Sequence, residues 1–204
     1  MIAIVDYGVG NLYSLERSFD AIGADVTVTA DAQVIRKAER ILLPGVGAFG
    51  DAADKLRSSG LADVMVEQAN AGKPLLGICL GMQLLFETGY EYGVHRGLGL
   101  LSGEIRPIAD VIPNGLKIPH MGWNALDFTR ESKLFANINN RDFVYFVHSY
   151  YAANCKEATI ATAEYGVPLT AAVEMDNVFG CQFHPEKSGA VGLKILKAFC
   201  EMKV

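Results

Sequence analysis

Short apolar runs alternate with helical patterns through the first part of the chain. IAIVD (2–6), DVTVT (25–29), RILLPG (40–45) and LLGIC (75–79) are continuously apolar or β-rich, which predicts four short strands. Between them the spacing predicts helices. One starts at Asn11 or Ser14 and ends near Gly23, helical patterns run between Asp51 and Ala71, and LGMQLLFET (80–88) places apolar residues at i, i+3 and i+4. Continuously apolar strands separated by helices are buried on both faces, the signature of a doubly wound, largely parallel sheet.

From about Gly97 the pattern changes. GLLSGEIRPI, LKIPHMGWNAL, FVYFVHSYYA, EATIATAEY and TAAVEMDNVFGCQF are β-rich pieces separated by turns, and they predict antiparallel or mixed strands that extend the sheet. The closing segment 188–202 sets Val191, Leu193, Ile195, Leu196 and Phe199 against Lys194, Lys197 and Glu201, as an amphipathic helix does. With no repeat, low-complexity tract or linker, the expected architecture is one α/β domain over 1–204, with helices flanking the central sheet.

Composition narrows the partners. The 204 residues are 50% hydrophobic and 20% charged with a formal net charge of −5, and no basic run marks a nucleic-acid or anionic-membrane surface. No apolar stretch approaches the roughly 18 residues of a membrane span. The N-terminus MIAIVDYGVGN lacks a basic leader and reads as the first strand of the fold. Cysteines 79, 155, 181 and 200 are far apart with no C-x-x-C pair, which argues against a zinc ribbon or disulfide scaffold and favours a reduced, cytoplasmic compartment. No two His or Cys residues have metal-ligand spacing on one element, so no metal and no cofactor are expected.

The chemistry concentrates in three segments. In GICLG (77–81) a cysteine stands between two glycines where an apolar strand meets a helix. The matching serine pattern is a nucleophile elbow, whose sharp turn exposes the side chain at the carboxyl end of a sheet. A small apolar residue filling a sheet–helix junction is the competing reading of Cys79, and the elbow alone leaves it open. A cysteine nucleophile needs a base, and the base an orienting group. In CQFHPEKS, His184 ends an apolar strand, Pro185 keeps it extended, and Glu186 stands two positions on. PGVGAFGD (44–51) follows an apolar strand and, in a parallel sheet, emerges at the same edge as Cys79. Its glycines suit backbone N–H groups turned inward. It lacks the Lys-Ser/Thr of a Walker loop.

Cysteine, histidine and glutamate beside such a loop resemble the class I glutamine amidotransferases. IVDYGVGNL, LPGVGAFGD, GICLGMQLLF, PHMGWN, YFVHSYY and NVFGCQFHPEKS are together similar to the branch of that class serving imidazole glycerol phosphate synthases, and PHMGWN is the most discriminating. The resemblance runs nearly end to end and is loosest over 85–115. It implies a flavodoxin-like fold in which Cys79 attacks the glutamine side-chain amide, His184 moves protons and Glu186 orients it. Leu80 N–H and the Gly45–Val46–Gly47 loop would form the oxyanion hole, while Gln83 and the backbone of His148, Ser149 and Tyr150 hold glutamine. It also implies a heterodimer with a cyclase subunit, a (β/α)8 barrel, facing Asn11, Met121, Trp123 and Lys187. Without the resemblance, Gln83 reads as a solvated residue on an exposed helical turn. HSYY then reads as alternating strand, with Ser149 and Tyr151 on one face and His148 and Tyr150 on the other. Trp123 reads as core or interface. A glutaminase of another amidotransferase, a stand-alone cysteine hydrolase and a catalytically idle subunit remain alternatives.

Overall fold

The four apolar runs become the centre of the sheet. In the structure, a computed structural model that describes residues 1–203, Ile2–Val5 forms β1, Val26–Thr29 β2, Arg40–Leu43 β3 and Leu75–Ile78 β4. Every residue of β1 and β4 is buried, as strands covered on both faces must be. The helices between and after them are Leu12–Ala21 (α1), Ala32–Lys37 (α2), Phe49–Ser58 (α3), Leu61–Asn70 (α4) and Leu80–Leu84 (α5). Asn11 is the α1 cap, its Oδ1 accepting from the Ser14 amide at 3.4 Å. The helical pattern from Asp51 to Ala71 resolves into α3 and α4, divided at Ser59–Gly60. Helix α2 has no counterpart in the sequence reading. It spans six residues with Ile35 alone buried, too little for a period to show.

Beyond α5 the strands are Phe86–Gly89 (β5), His95–Arg96 (β6), Leu101–Pro107 (β7), His120–Ala125 (β8), Asp127–Phe128 (β9), Phe143–His148 (β10), Tyr150–Ala153 (β11), Thr159–Glu164 (β12), Pro168–Met175 (β13) and Val178–Cys181 (β14), followed by helix Gly189–Glu201 (α6). The expected helix over 80–88 therefore stops at Leu84. The carbonyls of Leu84 and Leu85 accept from the amides of Leu98 (2.7 Å) and Leu100 (2.9 Å), so pairing with a distant segment replaces the next helical turn.

The main sheet has the order β2-β1-β3-β4-β14-β13-β12-β9. Its first five strands are parallel, and β13, β12 and β9 continue it antiparallel. The later β-rich pieces only partly extend it, because β11-β7-β5-β6 and β10-β8 form two separate small sheets. The four-stranded one packs Phe86, Leu101, Ile105 and Ala152 onto the core that also holds Ala3 and Val5. Ile2 and Ile4 point to the opposite core with Phe19, Leu196 and Phe199, the period of two expected along a strand. In α6, Ile195, Leu196 and Phe199 are buried and Lys194, Lys197 and Glu201 exposed, while Val191 and Leu193 are only half-buried. Among the described residues no helix is long and apolar enough to cross a membrane.

Candidate active site

Parallel pairing brings three carboxyl ends to one edge. Leu43 of β3 lies opposite Gly77 of β4, and Cys181 of β14 opposite Ile78. The loop after β3, the residue after β4 and the turn after β14 consequently meet there, as open α/β sheets arrange ligand sites.

Cys79 follows β4 with φ 53° and ψ −111°, a left-handed conformation that costs a non-glycine residue about 1–3 kcal/mol. Its amide donates to the Cys181 carbonyl at 2.7 Å and its carbonyl accepts from the Gln83 amide at 3.1 Å. The flanking glycines make the turn possible by their lack of bulk. A Cβ on Gly81 would lie 1.9 Å from the Leu43 carbonyl oxygen, and one on Gly77 2.6 Å from the Met82 nitrogen. Gly81→Ala should accordingly lower stability by about 3 kcal/mol, or about 6–12 °C in Tm for a chain of this size. A thermal melt unchanged within about 2 °C would refute so close an approach.

His184 lies beyond β14. Its amide donates to the Tyr145 carbonyl at 2.9 Å and its carbonyl accepts from Ser188 Oγ at 2.7 Å, while Ser188 Oγ accepts from the Tyr145 amide at 2.9 Å. Pro185–Lys187 then makes a 3-10 turn that folds Glu186 back, so that Oε1 accepts from His184 Nδ1–H at 2.7 Å. The two side chains are only 4% and 1% exposed, and Glu186 Oε2 has no hydrogen-bond partner among the described residues. Burial alone would lower the His184 pKa. The hydrogen bonds to Cys79 and Glu186 outweigh it and push the pKa up to about 9.

Cys79, Leu80, Gln83, Val46, Gly47, His148, Ser149, Tyr150, His184 and Lys187 face one cavity of about 320 Å³. Gly45 sits behind its wall, where an added Cβ would meet the Gly81 nitrogen at 2.7 Å. Among the described residues four larger hollows, two beside Cys155, one beside Arg57 and one beside Tyr13, contain no cysteine–histidine pair. Asn11, Met121 and Trp123 lie outside the cavity, and Met121 and Trp123 are 60% and 55% exposed, which removes the core reading of the tryptophan.

Two readings are corrected. Gln83 is not on an exposed turn: all five residues of α5 are buried, and Gln83 Nε2 donates to the Tyr150 carbonyl (3.2 Å) and to Gln182 Oε1 (2.9 Å). HSYY is not one strand. At Ser149 the chain leaves the β10-β8 ribbon and enters the four-stranded sheet, so its neighbours do not share a face by simple alternation.

Other residues complete the site without having been singled out. Gln182 is fully buried and its Nε2 lies 3.8 Å from Cys79 Sγ, the one polar residue between Cys181 and Phe183. Tyr7 donates its hydroxyl to the Pro44 carbonyl at 2.8 Å, and burial together with Cys79 raises its pKa. Glu91 faces the cavity and accepts from the Phe49 amide at 2.7 Å, bracing the start of α3. Nothing local in 85–115 announces it.

The class-I glutamine amidotransferase family model matches residues 3–202. Relatives named imidazole glycerol phosphate synthase subunit HisH are similar over nearly the whole chain. The Caldanaerobacter subterraneus subsp. tengcongensis protein is 49% identical, covering 99% of this chain and 98% of its own. The Lactococcus lactis protein is 49% identical, with 98% of each covered, and the Aquifex aeolicus protein 48%, with 96% and 94% covered. A crystal structure of a glutamine amidotransferase aligns with TM-score 0.76 at 17% identity over 98% of both chains. PurLQS from Thermotoga maritima aligns with TM-score 0.75 at 22% identity, over 97% of this chain and 96% of the other. Those two likenesses speak to the fold, and the family model and the close relatives to membership: the chain belongs to the class I glutamine amidotransferases.

Proposed function

We infer that the chain is the glutaminase subunit of an imidazole glycerol phosphate synthase, with 1–204 as one amidotransferase domain acting in the cytoplasm. The observation that carries the chemistry is the left-handed Cys79 sharing a cavity with a buried His184–Glu186 pair. Cys79 Sγ attacks the side-chain amide carbon of glutamine, and the charge developing on the amide oxygen falls to Leu80 N–H and the Gly45–Val46–Gly47 loop. His184 takes the Cys79 thiol proton and gives it to the departing nitrogen, releasing ammonia and leaving a γ-glutamyl thioester. Water then attacks the thioester while His184 takes its proton and returns it to the departing sulfur, which frees glutamate and restores the thiol. Gln83 and the His148–Tyr150 backbone hold the substrate.

Ammonia set free in neutral water takes up a proton and ceases to be a nucleophile, so it must pass under cover to its acceptor. We place the cyclase subunit, a (β/α)8 barrel making imidazole glycerol phosphate and an aminoimidazole carboxamide ribotide, over the face carrying Asn11, Met121, Trp123 and Lys187. Exposed Met121 and Trp123 suit an interface core, and Trp123 lies 4.0 Å from where a Gly189 Cβ would be, beside the turn that presents Lys187 at the cavity.

Glutamine hydrolysis by the isolated chain, by the complex and by the complex with cyclase ligand tests both parts. Gly47 at φ 95° belongs to a loop whose peptides have freedom to reorient. One oxyanion donor turned away at rest would make the isolated chain roughly 10²–10³ slower than the liganded complex. Equal rates would remove the gating, and no glutamine turnover in the complex would remove the function.

A further inference from the structure

One wall of the cavity is backed by two buried histidines whose imidazoles have no part in the reaction described above. His148 ends β10, His120 begins β8, and the two are partners in the ribbon register. His148 Nδ1 lies 2.8 Å from the Tyr150 carbonyl oxygen. A carbonyl only accepts, so Nδ1 carries the proton. Burial pushes the pKa of His148 down to about 3 and of His120 to about 4, so both rings are neutral at physiological pH. His148 Nε2 is then a bare acceptor, and the contact at 2.9 Å is a donation from His120 Nδ1–H. His120 Nε2 in turn accepts from Asn124 Nδ2, 3.3 Å away. The Asn124 amide is oriented by its own bonds, Nδ2 donating to the Glu164 carbonyl (2.8 Å) and Oδ1 accepting from the Ala125 amide (2.8 Å). Every link points one way, from Asn124 through His120 and His148 to the Tyr150 carbonyl.

Each end of this chain has a consequence. The Tyr150 carbonyl also accepts from Gln83 Nε2, which bonds Gln182, whose amide reaches Cys79 Sγ. At the other end His120 is clamped between the rings of Phe146 (4.8 Å) and Tyr165 (4.2 Å). It alternates along β8 with Met121 and Trp123, which stand exposed. A shift of the outer strand therefore cannot leave the Tyr150 carbonyl where it was without breaking a buried hydrogen bond.

We propose that His120 is a positioning residue for glutamine: through His148 it fixes the Tyr150 carbonyl and the Gln83 amide, and it ties the exposed strand β8 to the substrate corner. The proposal rests on the glutaminase reading. It treats the two histidines as one directional relay rather than as filler of the ribbon.

The test uses the complex with the cyclase subunit. His120→Phe keeps the ring stack and deletes both nitrogens, and is expected to raise KM for glutamine about tenfold with kcat within about twofold, the effect on the substrate corner of losing the buried hydrogen bond to His148. His120→Asn places an amide N–H near the Nδ1 position and should hold KM within about threefold of the unaltered protein. Synthesis from ammonium salts should be unchanged in both. Independently of activity, long-range ¹H–¹⁵N spectra of the unaltered chain should show His120 and His148 both protonated at Nδ1. Equal KM values for the Phe variant and the unaltered complex overturn the relay, as does a parallel fall in ammonium-dependent synthesis or an Nε2–H tautomer at His148. An unaltered complex that assembles yet turns over no glutamine overturns the glutaminase reading itself.

Discussion

Replacing Cys79 by alanine is expected to lower glutamine-dependent synthesis by roughly 10⁴–10⁶, while synthesis from added ammonium salts by the same complex stays largely intact. The substitution removes one atom at a position whose backbone is pinned by the Cys181 carbonyl and the Gln83 amide, so the turn should survive it. No other thiol can take over. Cys181 is next door through the backbone but wholly buried, and burial followed by the nearby Glu186 raises its pKa, which disfavours a thiolate. Cys155 packs against Thr159 and Thr170, and Cys200 lies on α6. The split between the two nitrogen sources is the decisive readout, because a folding or assembly defect would depress both. If both vanish in a complex that still assembles, Cys79 is more than a glutaminase nucleophile.

Legibility followed the range of the forces involved. β1, β3 and β4 were readable because a strand buried on both faces must be apolar throughout, and the elbow because two close backbone approaches leave no room for side chains at Gly77 and Gly81. His184 and Glu186 were readable as neighbours two apart across a proline. What failed depended on partners far away in sequence. LGMQLLFET (80–88) carries helical spacing, yet backbone pairing with residues between 95 and 105 turns its end into β5. FVYFVHSYYA is β-rich on both sides of Ser149, and no local signal marks the change of sheet there. Gln83 looks solvated until α5 is seen wedged among buried neighbours, where Gln182 and the Tyr150 carbonyl satisfy its amide. Glu91 reaches the cavity through the fold and is held there by a bond to the Phe49 amide, 42 residues back.

His184→Asn and Glu186→Gln separate the proton shuttle from its orienting group. Asparagine at 184 retains an N–H for Glu186 but has no nitrogen that can accept and return a proton, so thioester formation should fall by about 10⁴ or more. Glu186→Gln keeps the imidazole, and its loss should be roughly tenfold to a hundredfold smaller. The same pair has a pH signature. The His184 pKa, near 6.5 in the unfolded chain, rises to about 9 in the fold, so the native state holds its proton more tightly. The stabilisation this linkage provides is full below about pH 6.5 and is lost as pH climbs through about 9. Glu186→Gln removes a buried carboxylate whose only hydrogen-bond partner among the described residues is His184, which leaves burial, the opposing influence, closer to dominance. Melting temperatures of the variant should therefore fall less steeply than those of the unaltered chain between pH 6.5 and 9. Parallel curves would mean that Glu186 does not hold the histidine charged, and a Glu186→Gln enzyme slower than His184→Asn, with both folded, would reverse the two assignments.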